Sequence, residues 1–245
     1  MDRRDEIAAS LTAVSGRIDA ACRAAGRPRD EVRLLAVTKT FPATDAALLT
    51  DLGVTGLAEN RDQEAAAKAR EVARLRPEAG VRWHMVGRLQ RNKARSVARW
   101  AAEVQSVDSL RLVDALAGAV RTARDAGERD APMDVLLQTS LDDDPARGGC
   151  PVDGLGRLAE AVARESDVLH LRGLMAVAPL GADPEPAFER LARAAEALRR
   201  DHPGATEISA GMTGDLEQAI GYGSTCVRVG TALLGGRGLA SPQHG

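Results

Sequence analysis

The sequence is poor in cysteine, lysine and aromatic residues, and the shortage of cysteine excludes two classes of protein. The chain of 245 residues has three Cys, two Phe, two Trp and one Tyr. Cys22, Cys150 and Cys226 lie far apart and form no CxxC pair, which argues against a disulfide framework and against a structural zinc site. The four histidines show no ligand spacing either. We therefore expect three buried free thiols and no bound metal.

The sequence also lacks a long apolar run and a strong net charge. No run reaches the roughly 18 apolar residues that a membrane-spanning helix needs. The first six residues include acids where a signal peptide has basic residues. The formal net charge of −2 provides no general attraction to nucleic acid or to anionic membranes. We expect a cytoplasmic protein that binds neither.

Five basic residues nevertheless cluster in one predicted helical stretch: Arg88, Arg91, Lys93, Arg95 and Arg99. No aromatic residues accompany them in a way that would let nucleic-acid bases stack. We interpret this cluster as a solvated helix face rather than a nucleic-acid site.

Short β-type apolar segments alternate with longer amphipathic segments along the chain. The predicted strands are 33–38, 54–58, 81–86, 103–107, 133–138, 169–176, 206–209 and 225–229. Helices are predicted from the start to about Ala25 and over 63–74, 110–126, 154–164 and 186–200. This alternation indicates parallel βαβ units. We predict α/β architecture: one (β/α)8 TIM barrel over residues 1–245 with an extra N-terminal helix. An open doubly wound sheet is the alternative.

The scarcity of lysine draws attention to Lys39. Among 33 basic residues, lysine occurs only at positions 39, 68 and 93. Strand alternation places Lys39 on one face with Leu35 and Val37. At the mouth of an apolar barrel its ammonium would be partly desolvated, which favours the free amine that forms a Schiff base with an aldehyde. A lysine that only extends to solvent is the alternative. Arginine would serve that purpose equally well but forms no imine.

Small and hydroxyl residues follow the last two predicted strands. One segment runs from Ser209 to Gly214, with Thr213 as a candidate helix N-cap, and the other is Gly230-Thr231. Two helix N-termini at these positions would form the anion pocket in which many barrels hold a phosphate. Ordinary helix capping is the alternative interpretation.

Arg228 is predicted to point into the barrel. Alternation directs its neighbours Val227 and Val229 toward the surrounding helices, which leaves Arg228 on the inner face. A buried guanidinium needs an acceptor. A structural salt bridge and a ligand contact both remain open as explanations.

Several motifs occur in the order found in a known family. They are 36–39 (AVTK), 59–61 (ENR), 83–87 (WHMVG), 106–108 (SVD), 171–175 (LRGLM), 211–212 (GM) and 227–232 (VRVGTA). Together they resemble the pyridoxal phosphate homeostasis protein family, whose single barrel is similar to the N-terminal domain of bacterial alanine racemases. The resemblance covers nearly the whole chain.

The resemblance implies pyridoxal 5'-phosphate as a covalent cofactor and assigns candidate site residues. Lys39 matches the family's Schiff-base lysine, and Arg228 matches the arginine that faces the pyridine nitrogen. The cofactor phosphate is expected at Ser209, Thr213, Gly230 and Thr231, and the motifs that line the pocket contain Asn60, His84, Met175 and Met212. The chain departs from the family pattern at Ala58, Arg88, Ala210 and the loop Arg147-Gly148-Gly149.

The resemblance also implies a carrier rather than a catalyst. We expect a monomeric protein that holds pyridoxal phosphate, buffers it or delivers it to PLP-dependent apoenzymes, and that has no catalytic residues. Arginine beside the pyridine nitrogen does not keep that nitrogen protonated, which weakens the cofactor as an electron sink. A PLP-dependent amino-acid racemase is the alternative function, with weak racemase activity left open. A barrel that binds phosphate without PLP is a third possibility.

Overall fold

Residues 2–142, 148–179 and 181–236 are described by the structure, a computed structural model. Eight parallel strands form a closed barrel in chain order. They are β1 (Arg33–Val37), β2 (Gly56–Glu59), β3 (Arg82–Met85), β4 (Glu103–Val107), β5 (Met133–Gln138), β6 (Leu169–Met175), β7 (Glu207–Ser209) and β8 (Cys226–Val229). Each predicted strand overlaps one of these, so the (β/α)8 barrel is confirmed and the open doubly wound sheet is wrong.

Helices surround the barrel and one precedes it. They are α1 (Arg3–Ala24), α2 (Ala43–Asp51), α3 (Asp62–Leu75), α4 (Ala94–Trp100), α5 (Leu110–Asp125), α6 (Leu155–Arg164), α7 (Glu185–Asp201), α8 (Leu216–Gly221) and α9 (Thr231–Leu234). The first is the predicted N-terminal helix, and it begins where the Asp2 side chain accepts the Asp5 N–H. The sequence analysis missed α2, which starts directly after Pro42.

Alternation along the strands separates two buried faces. In β1 and β8, Ala36, Val227 and Val229 belong to the core between barrel and helices. Leu35 and Cys226 form a separate small cluster with Ala58 inside the barrel. The barrel interior therefore has apolar contacts where β8, β1 and β2 lie side by side, as the alternation of Leu35 and Val37 predicts.

Charged side chains fill the N-terminal end of the barrel interior. Arg33 Nη2 lies 3.0 Å from Glu103 Oε1 and 2.5 Å from Glu207 Oε2. His84 Nδ1 lies 3.0 Å from the same Glu103 oxygen. Burial alone would raise the pKa of Glu103, but its contacts with His84 and Arg33 outweigh burial and lower the pKa from 4.5 to about 2. We call Arg33, His84, Glu103 and Glu207 the interior ion cluster.

Two arginines of α1 form hydrogen bonds with segments at the C-terminal end of the barrel. Arg17 Nη2 donates to Thr213 O at 2.8 Å. Arg3 Nη2 donates to Leu234 O at 2.9 Å and to Asp45 Oδ2 at 2.7 Å. The N-terminal helix is thereby tied to the loop after β7, to α9 and to α2.

All three cysteines are free and buried, as predicted. In the part of the chain that the structure describes, no group of His, Cys, Asp and Glu side chains could hold a metal ion. None of the described helices combines the length and hydropathy that crossing a membrane requires.

The lowered pKa of Glu103 predicts how stability depends on pH. Its native value of about 2 lies below the ordinary 4.5. The ionised carboxylate therefore stabilises the native state above pH 4.5, and this contribution is lost as the pH falls from 4.5 toward 2. We expect Glu103→Gln to lower the free energy of unfolding by about 3 kcal/mol at pH 7 and by only about 1 kcal/mol at pH 3.

Urea denaturation at the two pH values measures this difference. Glu128→Gln, which breaks the exposed ion pair with Arg99, serves as the control and should change little at either pH. An equal loss of stability for Glu103→Gln at pH 3 and pH 7 would contradict the assigned pKa.

Candidate functional site

The closed barrel brings most predicted site residues to one end. The C-terminal ends of β7, β8, β1 and β2 lie side by side. In that order, the segments that follow these strands carry Met212 and Thr213, Gly230 and Thr231, Lys39, and Asn60. Residues that are far apart in the sequence therefore surround one seam of the barrel.

Two glycines allow the backbone segments at this end to approach each other. A Cβ atom on Gly230 would lie 3.0 Å from Val37 O, and one on Gly87 would lie 2.2 Å from Asn60 O. The loop after β8 therefore packs directly against the end of β1. The loop after β3 packs in the same way against Asn60.

Lys39 lies in a tight turn at the end of β1. The Phe41 N–H donates to Thr38 O at 3.1 Å, which closes a four-residue turn. Thr40 has a φ of 68°, and no other non-glycine residue in the described part of the chain has a positive φ. Positive φ at the third residue is the pattern of a type II turn, where glycine or asparagine is usual. The turn thus places Lys39 at its second position.

The Lys39 side chain is exposed at this end of the barrel. Within the described part of the chain, its amine forms no hydrogen bond or ion pair. The partial desolvation expected for Lys39 is therefore not seen, and its amine is accessible to a ligand.

Two charged residues that the sequence analysis did not assign to the site lie beneath this turn. Lys68 Nζ donates to Thr38 O at 2.7 Å and to Glu59 Oε1. The Thr38 hydroxyl donates to the same Glu59 oxygen at 2.6 Å. A signal for Lys68 was present in the sequence, because it shares one helix face with the apolar residues Ala65 and Val72.

Arg228 points into the barrel, as predicted, and is 5% exposed. Its Nη1 donates to Ser209 Oγ at 2.7 Å and its Nη2 to Ala176 O at 2.8 Å. No carboxylate among the described residues hydrogen-bonds to it, so within those residues the structural salt bridge considered above does not form. Burial lowers the pKa of Arg228, yet a guanidinium keeps its proton in proteins.

A chain of hydrogen bonds links Arg228 to the interior ion cluster. Ser209 Oγ donates to Gln105 Oε1 at 2.7 Å, and Gln105 Nε2 donates to Glu103 Oε1 at 2.7 Å. Sequence reasoning missed Gln105, although it is a polar residue two positions after Glu103 in a fully buried strand. The Arg228 guanidinium therefore bonds two neutral groups, Ser209 Oγ and Ala176 O. Ser209 is linked in turn through Gln105 to the Glu103 carboxylate.

Two predicted site residues are buried and already contact other side chains inside the barrel. Ser209 was expected at a phosphate, but its side chain is fully buried and its hydroxyl already bonds Gln105 and Arg228. His84 was expected in the pocket lining, but it is 1% exposed and lies against Glu103 in the ion cluster. Ser209 is thus held by Gln105, and His84 lies beside Glu103, its register partner on β4.

The remaining predicted residues lie at or near the seam. Met175 pairs with Ser209 across β6 and β7. Its neighbours Leu174 and Ala176 belong to the helix-facing core, so alternation directs Met175 inward. The Met212 N–H donates to Asp215 Oδ1 at 2.6 Å.

The N-cap of α8 is Asp215 rather than the predicted Thr213. Gly230 is the N-cap of α9, which starts at Thr231. Of the departures from the family pattern, Arg147 falls outside the described residues.

Comparisons with known proteins place this sequence and fold among similar chains. Residues 10–238 match the family model "Alanine racemase, N-terminal domain". The chain is 47% identical over 248 residues to a pyridoxal phosphate homeostasis protein of Mycobacterium leprae, covering 98% of this chain and 96% of the relative.

Solved structures extend the comparison. PipY of Synechococcus elongatus with PLP bound is 31% identical, with a TM-score of 0.76 over 94% of this chain and all of that one. Alanine racemase from Corynebacterium glutamicum is 16% identical, with a TM-score of 0.66 over 99% of this chain and 63% of that one. The second likeness concerns the fold alone.

Proposed function

The chain belongs to the pyridoxal phosphate homeostasis protein family, and on this premise we propose that it binds pyridoxal 5'-phosphate and acts in the homeostasis of that cofactor. We place the cofactor at the seam formed by the ends of β7, β8, β1 and β2. The observation that carries the proposal is that Lys39 follows β1, while Arg228 lies on the hydrogen-bonded neighbour β8 and Gly230-Thr231 directly follows it.

The donors at the seam fit a phosphate ester. The N–H groups of Thr231 and Ala232 open α9 and have no backbone acceptor within the described part of the chain. The hydroxyls of Thr213 and Thr231 follow β7 and β8 and add further donors. Unpaired N–H groups at the start of a helix attract anions. This loop pair would hold the phosphate, while the buried Ser209 hydroxyl supports Arg228 instead.

The exposed amine of Lys39 fits the aldehyde of the same ligand. A primary amine condenses reversibly with an aldehyde, with release of one water molecule and no change of oxidation state, and Lys39 would supply that amine. Lys39 would thereby hold the cofactor covalently and reversibly, as a carrier requires.

Arg228 favours storage over catalysis. Bound pyridoxal phosphate supplies an electrophilic aldehyde and, when its ring nitrogen is protonated, an electron sink. The Arg228 guanidinium is buried, has no carboxylate partner within the described residues and accepts no proton. A ring nitrogen beside it would stay unprotonated, which lowers the reactivity of the bound cofactor toward amino acids.

A racemase needs an acid or base on each face of the substrate carbon, and three described residues that could supply the second one are engaged elsewhere. Tyr222 donates its hydroxyl to Glu185 of α7 in the helix layer. Burial raises the pKa of the Cys226 thiol, so this thiol stays protonated. His84 lies against Glu103. A carrier that supplies PLP-dependent apoenzymes therefore fits better than a racemase.

We predict that Lys39→Ala abolishes covalent binding. Purified protein with added pyridoxal phosphate should show a band at the edge of the visible range, and borohydride should remove this band by reducing the imine. Lys39→Ala should lack the band, because the nucleophilic amine is gone. Lys93→Ala removes another lysine and is the matched control that should keep it. A band of unchanged intensity in Lys39→Ala would contradict the proposal.

We further predict no amino-acid racemisation. Loaded protein incubated with L-alanine or D-alanine should leave each enantiomer unchanged beyond the rate given by free pyridoxal phosphate, because Tyr222, Cys226 and His84 are not placed to act as a second base. Chiral chromatography measures the product. Interconversion that exceeds this rate and disappears in Lys39→Ala would establish the racemase instead.

A further inference from the structure

Lys68 and Glu59 form a buried ion pair directly beneath the Lys39 turn. Lys68 is 9% exposed and Glu59 is fully buried. The pair closes a compact arrangement in which Lys68 Nζ donates to Thr38 O, while the Thr38 hydroxyl and Lys68 both donate to Glu59 Oε1. Thr38 is the residue immediately before Lys39, and it is held by both its carbonyl and its hydroxyl.

Stability alone does not explain this pair. Two buried charges lose their hydration, and apolar residues of similar volume often stabilise a protein as well or better. The arrangement is also incompletely satisfied, because Glu59 Oε2 has no hydrogen-bond partner within the described part of the chain. A buried carboxylate oxygen without a partner lowers stability. Because the pair is costly for stability, its role lies elsewhere, in holding the turn that contains Lys39 in place.

The turn itself needs support from outside. Thr40 has a φ of 68°, a conformation that is strained for a residue with a Cβ atom. Strained residues persist where the surrounding structure holds them, and they are common at functional sites. The Thr38 carbonyl is the acceptor that closes the turn by its bond to the Phe41 N–H. Lys68 bonds the same oxygen and thereby fixes it.

We propose that Lys68 and Glu59 are positioning residues that hold the strained Thr38–Phe41 turn and so direct the Lys39 amine into the cofactor site. Neither residue forms the covalent bond. The inference rests on the proposed function for its ligand, but the ordering of the turn is independent of any ligand.

The first test compares the wild type with the apolar pair Glu59→Leu/Lys68→Met. Replacing both partners leaves no unpaired charge, so the protein is expected to fold. We expect the Phe41 amide, measured by hydrogen exchange in the absence of pyridoxal phosphate, to lose protection. We also expect the equilibrium constant for the borohydride-reducible adduct to fall about tenfold, as the loss of support for a strained residue implies.

Two further variants separate positioning from general damage. Adding Thr40→Gly to the apolar pair relieves the positive φ and should restore most of the adduct, because glycine adopts this turn without outside support. In a Lys39→Met background the apolar pair should leave residual pyridoxal phosphate binding unchanged, since only the position of Lys39 depends on it.

Arg129→Met is the matched control. Arg129 is also a cation that bonds backbone carbonyls, those of Ala98, Ala101 and Pro132. These residues precede β4 and β5, so they lie at the opposite end of the barrel. This variant should lower stability without changing the adduct equilibrium or the Phe41 protection.

The outcomes distinguish the two proposals. If the wild type forms no adduct, the proposed function fails, while loss of Phe41 protection in the apolar pair would still support the positioning role. If the wild type forms the adduct and the apolar pair shows unchanged protection and an unchanged equilibrium, the positioning role is wrong and the proposed function stands.

Discussion

The parallel pairing of β8 with β1 closes the barrel, and the candidate site depends on it. Its register sets Leu35 opposite Arg228 and Ala36 opposite Val229. This places one inward arginine beside the strand that leads to Lys39, although 189 positions separate residues 39 and 228 in the sequence. The same closure brings Gly230 against the end of β1. No local feature of either segment would bring an amine, a guanidinium and a helix N-terminus together.

A continuous polar path through the interior supports this end of the barrel. It runs from the ion cluster through Glu103, Gln105 and Ser209 to Arg228. Together with the Lys68–Glu59 pair, it means that buried hydrogen bonds reach Arg228 itself and Thr38, the residue before Lys39. These elements contradict the usual preference for an apolar core, and such local contradictions are expected where function constrains the fold.

The sequence was sufficient to predict the barrel and the residues that follow its strands. Alternation of period two is a local property, so the inward direction of Leu35 and Arg228 could be read directly. The roles of Ser209 and His84 could not, because each depends on a partner from another strand, Gln105 and Glu103. Only the folded barrel brings these pairs together.

Lys68 is an intermediate case. The sequence showed that lysine is rare in this chain and that Lys68 lies among apolar residues on α3. It did not show which group Lys68 bonds, namely the carbonyl of Thr38. Every residue has a backbone oxygen, so the amino-acid sequence does not indicate which one a side chain will bond. The contact therefore required the structure.

The proposed covalent attachment of pyridoxal phosphate to Lys39 is tested most directly by mapping which lysine it modifies. Wild-type protein can be saturated with pyridoxal phosphate, reduced with borohydride, digested and mapped by mass spectrometry. Lysine occurs only at positions 39, 68 and 93, so the assignment is unambiguous. The proposed function predicts modification at Lys39 alone. Modification at Lys68 or Lys93 with Lys39 unmodified would contradict it.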